Sequence, residues 1–200
     1  IGAMDKTNQM VRLWAEGVAV PKTAFSGSSV VARKSLVSAL GERNWGSEYI
    51  VKAALGTRGQ DNYLVNSIEE LSNILLSKDE TYVVQEFIPN NSDLRIWVLG
   101  NECKLVIERS REEGHLNNTS MGARARMLSV EELQDVIIAT ALKSAEILSR
   151  QVAGVDILVD STTGKHYVLE VNRSPQLEHS TYQPEKASAL SRYIEKLIKM

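Results

Sequence analysis

Three oxygen-bearing side chains near the carboxyl-terminal end of the chain could bind a cation together. Asp156 lies in one apolar segment, and Glu170 and Asn172 lie in a second. If these segments are neighbouring antiparallel strands, Asp156 can face Glu170, and Asn172 points to the same side as Glu170. Hard oxygen ligands of this kind select Mg²⁺ or Mn²⁺. An exposed edge hairpin, in which Asn172 serves a turn before Pro175, has the same spacing, so the spacing leaves both interpretations open.

A second group of residues could bind phosphate. Lys52 stands near the end of an apolar, strand-like segment, and a loop containing Gly56 and Gly59 follows it. A lysine leaving a strand beside such a loop can neutralise phosphate charge while loop N–H groups approach the phosphate closely. A solvated lysine at a strand end is the alternative interpretation.

A third group could bind a nucleoside. Glu86 and Phe87 end a β-branched segment that runs into Pro89, and Asp93 follows. A strand that leaves a core and turns offers backbone N–H and C=O groups to the edge of an adenine. An acidic side chain nearby can accept hydrogen bonds from ribose hydroxyls. A buried strand followed by a surface salt bridge explains the same residues.

The apolar patterning predicts the elements that position these side chains. Helices are predicted at 5–17, 29–40, 67–77, 129–149 and 185–199. Strands are predicted at 49–53, 63–65, 81–88, 95–99, 104–109, 155–159 and 166–171, with an extended piece at 18–25 and a loop at 111–126. Because hairpins recur, we expect an α+β fold with mixed or antiparallel sheets, and not a doubly wound parallel sheet.

The helix predicted at 129–149 has a defined starting signal. Ser129 and Glu132 have the spacing of a capping box, which predicts that the helix begins there. Leu133, Val136 and Ile137 are among the residues expected to face the core.

Composition excludes several classes of protein. The chain has 200 residues and a net charge of −2, which gives no basic face for duplex nucleic acid. No apolar run is long enough for a membrane span, and no signal peptide is visible. Cys103 is the single cysteine, which argues against a disulfide-dependent exported domain, so we expect a cytoplasmic protein. The chain contains no P-loop motif. Met4 stands fourth, so residues 1–4 are predicted to be a remnant in front of the domain.

In this order, the segments resemble the ATP-grasp superfamily, and most of all its RimK-type branch of glutamate ligases. The resemblance rests on motifs at 50–52 with 56–59, 84–88 with 93–95, 106–109 with 113–114, 152–158 and 169–175. It implies residues 5–25 leading into the domain, a smaller lobe at 26–80 and a larger lobe at 81–200, with ATP between the two lobes.

The resemblance also implies a role for each candidate residue. For the nucleotide it implies contacts from Lys52, Gly56, Gly59, Glu86, Phe87, Asp93, Asn117 and Asn118. For Mg²⁺ or Mn²⁺ it implies ligation by Asp156, Glu170 and Asn172. Arg109, Arg124 and Arg126 are candidates for contacts with phosphate or carboxylate groups in the reaction, and surface arginines without such a role are the alternative interpretation.

The implied reaction is ATP-dependent formation of an amide. The γ-phosphoryl group passes to a carboxylate of an amino acid, peptide or protein, and an amine then attacks the acyl phosphate. The carboxylate is a poor electrophile, and phosphorylation gives it a leaving group. Cations neutralise the charge on the phosphoryl group as it is transferred. The absence of a Ser–His–Asp or Cys–His pattern agrees with a reaction that needs no protein nucleophile.

Some residues depart from the family pattern. Asp61 stands where members usually carry a third glycine, the loop 117–123 lacks paired glycines, and Gln176 replaces a glycine. The N-terminal α/β domain typical of RimK-like enzymes is also missing, so the chain is a fragment or a partner or second subunit supplies that wall. These departures favour the alternative hypothesis, a degenerate or regulatory ATP-binding module without ligase activity.

Overall fold

A computed structural model of the chain describes residues 6–42, 45, 48–54, 62–77, 79–110, 124–173, 175 and 181–199. The chain divides into two units. The first comprises Ile1–Val11 with Val20–Ile88, and the second comprises Arg12–Ala19 with Pro89–Met200. Each unit combines helices with an antiparallel sheet, so the predicted α+β fold is confirmed.

The first unit is built on a four-stranded sheet. The elements up to its last strand are α1 (Lys6–Ala15), β1 (Thr23–Phe25), α2 (Val30–Glu42), β2 (Tyr49–Ala53), β3 (Asn62–Val65), α3 (Ile68–Ser77) and β4 (Tyr82–Glu86). The strand order is β1-β4-β2-β3, and every pairing is antiparallel. Before α3, the Ser67 hydroxyl accepts a hydrogen bond from the Glu70 N–H at 3.1 Å and so caps the helix.

The two faces of this sheet differ in chemistry. One face forms an apolar core whose buried members are Leu40, Tyr49, Val51, Val65, Leu71, Leu75, Tyr82 and Val84. The other face carries Thr23, Lys52 and Gln85, because strand residues alternate between faces and Thr23 is the register partner of Gln85. The predicted phosphate-binding lysine therefore lies on the face opposite this apolar core.

The second unit is built on a five-stranded antiparallel sheet with strand order β7-β6-β5-β8-β9. Its elements are β5 (Ser92–Leu99), β6 (Glu102–Ser110), β7 (Arg124–Leu128), a 3₁₀ turn (Val130–Glu132), α4 (Asp135–Ile147), β8 (Val152–Val159), β9 (His166–Asn172) and α5 (Gln183–Ile198). Helix α4 packs on β5, β6, β8 and β9 and buries Ile137, Ala141 and Ala145. Among the described residues, no helix is both long and apolar enough to cross a membrane.

The end of α1 is part of the second unit, where hydrogen bonds to backbone carbonyls hold it in place. The Lys143 ammonium donates to the Glu16 carbonyl at 2.7 Å, and the Arg12 guanidinium donates to the carbonyl of Ile147 at the end of α4. The Val168 N–H donates to the Ala19 carbonyl at 2.9 Å. Cations at the carboxyl ends of both helices satisfy carbonyls that lack intrahelical partners.

The predicted loop at 111–126 is wrong at its end, where β7 begins at Arg124. Register pairs join Arg124 to Ser110 and Arg126 to Glu108. The sequence does not indicate this strand, because the arginines of β7 break the apolar alternation that marks a half-buried strand.

The predicted start of the long helix is also wrong. The capping box is present, with the Ser129 N–H donating to Glu132 Oε2 at 2.6 Å, but it caps the 3₁₀ turn. Leu133 is extended and interrupts the helical path, so α4 begins at Asp135. As a result Val136 lies in the first turn and is 52% exposed, contrary to its predicted core position.

The predicted boundary between the lobes at residues 80 and 81 differs from the boundary of the units. Strand β4 pairs with β1 and β2 and so belongs to the first unit, which ends at Ile88. The segment Arg12–Ala19 belongs to the second unit, although it falls within the predicted leading segment 5–25.

Candidate functional site

The hairpin of β8 and β9 brings the predicted cation ligands to one face of the larger sheet. Asp156 is the register partner of Glu170, and Gly154 is the register partner of Asn172. A bulge separates the Asp156 pairing from the next pair along the hairpin. The predicted strand geometry is confirmed, whereas metal binding by these residues stays a prediction.

Asp156 is held by two arginines. Arg95 is its register partner on β5 and donates from Nε to Oδ1 at 2.7 Å and from Nη2 to Oδ2 at 2.6 Å. Arg109 approaches the same carboxylate, with Nη2 at 3.3 Å from Oδ2. Such bidentate, charge-assisted hydrogen bonds fix both the position and the orientation of the carboxylate.

Arg109 is shared with a second carboxylate. It donates from Nε to Asp93 Oδ1 at 2.6 Å and from Nη2 to Asp93 Oδ2 at 2.8 Å. Only 4% of Arg109 and 6% of Asp93 are exposed, so this pair is almost fully removed from water. We call Asp93, Arg95, Arg109 and Asp156 the charged cluster. Its two positive side chains offset the charge of its two negative ones.

Burial and pairing act in opposite directions within the charged cluster. Burial raises the pKa of Asp93 to about 6, against the attraction of Arg109, and the charge of Asp156 adds to the rise. Burial also opposes ionisation of Asp156, but Arg109 and Arg95 together hold the pKa of Asp156 below its usual range. Asp156 is therefore the carboxylate that the cluster keeps ionised most firmly.

The oxygen donors on this face fit a divalent cation. A carboxylate offers about four acceptor positions, and three guanidinium N–H groups occupy Asp156, which leaves about one for a further ligand. Glu170 and Asn172 are half-buried beside it. Oxygen-only donors of this kind suit Mg²⁺. Among the described residues, His, Cys, Asp and Glu alone make no cluster of three that could hold a metal, so Asn172 is needed to complete the set.

The side-chain amide of Asn172 has unused hydrogen-bonding capacity. Its Nδ2 atom is buried and has no hydrogen-bond partner in the described part of the chain. Buried amide groups are usually satisfied, and an exception suggests a missing ligand or water. Gly154 lies beside it, and a Cβ at this glycine would come within 2.9 Å of the Pro175 side chain. Glycine thus allows Pro175 to pack against β8.

A lysine from α5 lies near the charged cluster. Lys186 is 3% exposed, and its ammonium group is 5.6 Å from the centre of the Trp97 ring. Burial, followed by the charges of Arg95 and Arg109, lowers the pKa of Lys186 to about 8. Arg124, which was predicted to act in the reaction, is exposed on β7.

In the first unit, the predicted nucleotide contacts have defined partners. The Lys52 ammonium donates to Gln85 Oε1 at 2.9 Å. The Glu86 carboxylate accepts from the Lys22 N–H at 2.8 Å and lies 3.2 Å from the Lys22 ammonium. The Phe87 N–H donates to the Glu48 carbonyl at 3.2 Å, so this N–H is already used in the protein alone.

The remaining predicted contacts fall on Gly56, Gly59, Asn117 and Asn118, which lie outside the described residues, as does Asp61.

Arg95, Gln85 and Lys186 had no predicted role in the site. The signal for Arg95 is its position two residues after Asp93, which places both side chains on one face of a strand. The pairing of Arg95 with Asp156 is a long-range contact across 61 residues, and no local pattern indicates it.

Curated relatives agree with the proposed resemblance. The chain is 32% identical over 180 residues to a protein named "Probable alpha-L-glutamate ligase" from Cellvibrio japonicus, with 87% of this chain and 56% of the relative covered. It is 32% identical over 200 residues to a protein of the same name from Syntrophotalea carbinolica, with 96% and 63% covered. The chain thus spans only part of the length of these relatives.

Solved structures share the fold. The D-alanine–D-alanine ligase from Bacillus anthracis, complexed with ATP, matches with a TM-score of 0.72 and 19% identity, covering 98% of this chain and 64% of that one. The ATP-grasp ligase PsnB, complexed with a minimal precursor, Mg and ADP, matches with a TM-score of 0.64 and 16% identity, covering 94% and 58%. The model of the RimK-like ATP-grasp domain matches residues 3–194, and the chain therefore belongs to the RimK-like ATP-grasp family.

Proposed function

We propose that this chain is the ATP-binding and catalytic domain of an ATP- and Mg²⁺-dependent carboxylate–amine ligase. The observation that carries the proposal is the convergence of Asp156, Glu170 and Asn172 on one face of the second sheet, beside two buried arginines. Family membership and ligase-named relatives support the same activity.

The nucleotide contacts form part of the proposal. Lys52 would contact a phosphate, Glu86 and Phe87 would bind the adenine, and Asp93 would bind the ribose. The Asp93 carboxylate already accepts two bonds from Arg109, so a ribose hydroxyl would use a remaining lone pair.

Asp156, Glu170 and Asn172 would hold Mg²⁺. When bound, this ion supplies positive charge that neutralises the triphosphate. Arg95 and Arg109 orient Asp156 and keep its carboxylate ionised, so that it is ready to act as a ligand. Arg109 lies within the charged cluster, so its proposed contribution to the reaction is positional and electrostatic. Exposed Arg124 remains a candidate for contacting the substrate carboxylate.

The proposed reaction has two balanced steps. A carboxylate oxygen of the acceptor attacks the γ-phosphorus of ATP, and the bond from that phosphorus to the bridging oxygen breaks to release ADP. The nitrogen of an amine then attacks the acyl carbon, phosphate leaves with the electrons of the carbon–oxygen bond, and the nitrogen loses a proton. Positioning and charge neutralisation supply most of the catalysis in such transfers.

The names of the relatives suggest the substrates. A RimK-like addition of glutamate or another amino acid to a protein, peptide or amino-acid carboxylate agrees with the glutamate-ligase name. Another PsnB structure holds the precursor peptide PsnA2, and this supports a peptide as the proposed acceptor.

The test measures ADP release with Mg²⁺ over a panel of amino acids and peptides. We expect ADP release that depends on both substrates in the wild type and is lost in Asp156→Ala and Glu170→Gln. The matched control is Glu146→Gln, because Glu146 is exposed on α4, and this variant should keep full activity. Saturating Mg²⁺–ATP at about 100 times its dissociation constant should stabilise the wild type by about 2.7 kcal/mol. No stabilisation at all would contradict the nucleotide site.

A degenerate ATP-binding module is the second candidate, and one observation favours it. Both oxygens of Asp156 accept hydrogen bonds from Arg95, so protein cations already compensate the charge that a metal would compensate. ATP binding without substrate-dependent ADP release, in the same panel, would support this module and contradict the ligase.

A further inference from the structure

Gln85 lies between the predicted phosphate-binding lysine and the first strand of the sheet. Gln85 is 3% exposed, and its Oε1 accepts a hydrogen bond from the Lys52 ammonium at 2.9 Å. Its Nε2 donates to the Thr23 hydroxyl at 3.1 Å. The amide therefore joins Lys52 to β1 through one buried side chain.

The Thr23 hydroxyl determines which end of the Gln85 amide faces Lys52. Thr23 Oγ1 is 2.6 Å from the carbonyl of Pro21, which can only accept, so the hydroxyl hydrogen is used there. Thr23 can then only accept from Gln85, and the amide must turn its N–H groups towards Thr23. Its carbonyl oxygen consequently faces Lys52.

A second contact acts in the same direction. Gln85 Nε2 also lies 3.7 Å from the sulfur of Met10, which is a weak acceptor and is 3% exposed. In the flipped amide, the NH₂ group would face the Lys52 ammonium and the carbonyl oxygen would face a sulfur and an oxygen lone pair. Both contacts would be repulsive, so the amide has one favourable orientation.

We infer that Gln85, oriented by Thr23, is a positioning residue that holds the Lys52 ammonium in place for a phosphate of ATP. We call Pro21, Thr23, Lys52 and Gln85 the amide network. The inference rests on the proposed role of Lys52 in ATP binding. A lysine has four rotatable bonds, and an acceptor that fixes its end before binding lowers the entropy lost when phosphate binds.

The test compares the dissociation constants of ATP and adenosine, because adenosine has no phosphate for Lys52 to contact. We expect Gln85→Met to weaken ATP binding about tenfold and Thr23→Val about threefold, from the usual strength of such hydrogen bonds. Adenosine binding should change by less than about twofold. Thr23→Ser keeps the hydroxyl and should therefore keep the ATP affinity of the wild type. Thr81→Val, a matched change elsewhere in the first unit, should have no effect.

A double-mutant cycle separates positioning from general damage to the fold. In a Lys52→Met background, which should itself weaken ATP binding about tenfold, Thr23→Val should cause no further loss, because the group that it positions is absent. An equal effect of Thr23→Val in both backgrounds, or an equal loss of adenosine and ATP affinity, would overturn the inference.

Failure of the proposed function has a different signature. If Lys52→Met leaves ATP affinity unchanged, the phosphate role of Lys52 is wrong and the inference is wrong with it. If Lys52→Met weakens ATP binding but Gln85→Met and Thr23→Val do not, only the positioning role is wrong. Thermal unfolding of each variant, with Thr23→Ser as the conservative case, identifies any variant that fails to fold.

Discussion

Each unit buries a polar group of residues on one face of its sheet, but the two groups are built from different chemistry. The amide network of the first unit contains a single charged side chain, and hydrogen bonds to a neutral amide and from a neutral hydroxyl fix its geometry. The charged cluster of the second unit contains two carboxylates and two guanidiniums in bidentate contact. Both position a side chain for which we propose a role in binding ATP or its metal.

The difference concerns what happens when one member is lost. A hydrogen bond between neutral groups contributes about 1 kcal/mol and one from a charged group about 1.5–3 kcal/mol, but a half-buried partner such as Lys52 can turn to water. In a buried ion cluster, removal of one member leaves an uncompensated charge, which costs about 3–5 kcal/mol. A change in the charged cluster should therefore alter the geometry of the site and destabilise the second unit together. A change in the amide network should cost less free energy of unfolding.

The largest expected effect is that of Arg109→Met. This change leaves Asp93 and Asp156 facing each other in a buried setting, so the free energy of unfolding should fall by about 3–5 kcal/mol. Urea denaturation measures it. Arg126→Met is the control, since its ion pair with Glu108 lies at the surface and should contribute less than about 1 kcal/mol. A similar loss in both variants would remove the distinction between buried and exposed pairs.

Gln85→Met should have a smaller effect on stability. It removes the acceptor of Lys52 and the donor to Thr23, at a cost of about 1–2 kcal/mol in the same denaturation experiment. Lys52 is half-buried and can bond to water, which limits the loss. If Gln85→Met cost as much as Arg109→Met, the proposed difference between the two groups of residues would not hold.

Of the two groups of residues, only the surroundings of the charged cluster should make stability depend on pH, through Lys186. The pKa of Lys186 is lowered from 10.5 to about 8, so the folded state releases this proton more readily than the unfolded state. Stability from this group must rise as pH increases from about 8 to 10.5. Unfolding measured across this range should show a steeper rise in the wild type than in Lys186→Met. Lys165→Met, at an exposed position, should keep the wild-type slope.

The smallest effect is expected for Thr23→Val. It removes one neutral hydroxyl and should lower the free energy of unfolding by about 1 kcal/mol or less. Thermal unfolding compared with Thr81→Val checks it. A cost above that of Gln85→Met would indicate that Thr23 stabilises β1 by another route.

Much of the fold could be predicted because its signals are local. The apolar strand at 49–53 and the β8–β9 hairpin each follow from a few adjacent residues, and the structure confirms them. Strand β7 could not be predicted, because its edge position and its arginines remove the apolar alternation. The capping box at Ser129 was correct as a motif but not as a helix start, since a 3₁₀ turn uses the same hydrogen bonds.

The site was predictable to the extent that it depends on one hairpin. The facing of Asp156 and Glu170 follows from strand alternation and a turn. The partners of Asp93 and Asp156 were not predictable, because they depend on which strands lie beside β5. A carboxylate that the sequence predicts to be a metal ligand can thus form an ion pair in the folded chain. The order of strands determines which partners it has.

The bonds that fasten the end of α1 also set an order for biosynthesis. Arg12 bonds to the carbonyl of Ile147, Lys143 bonds to Glu16, and Val168 bonds to Ala19, so the partners lie more than a hundred positions apart. A ribosome synthesises more than a hundred residues after Ala19 before Val168 emerges to meet it. The segment 12–19 must wait for these later residues, and contacts of such long sequence separation are slow to form. The second unit is therefore completed late, whereas β1 to β4 have all emerged by residue 86.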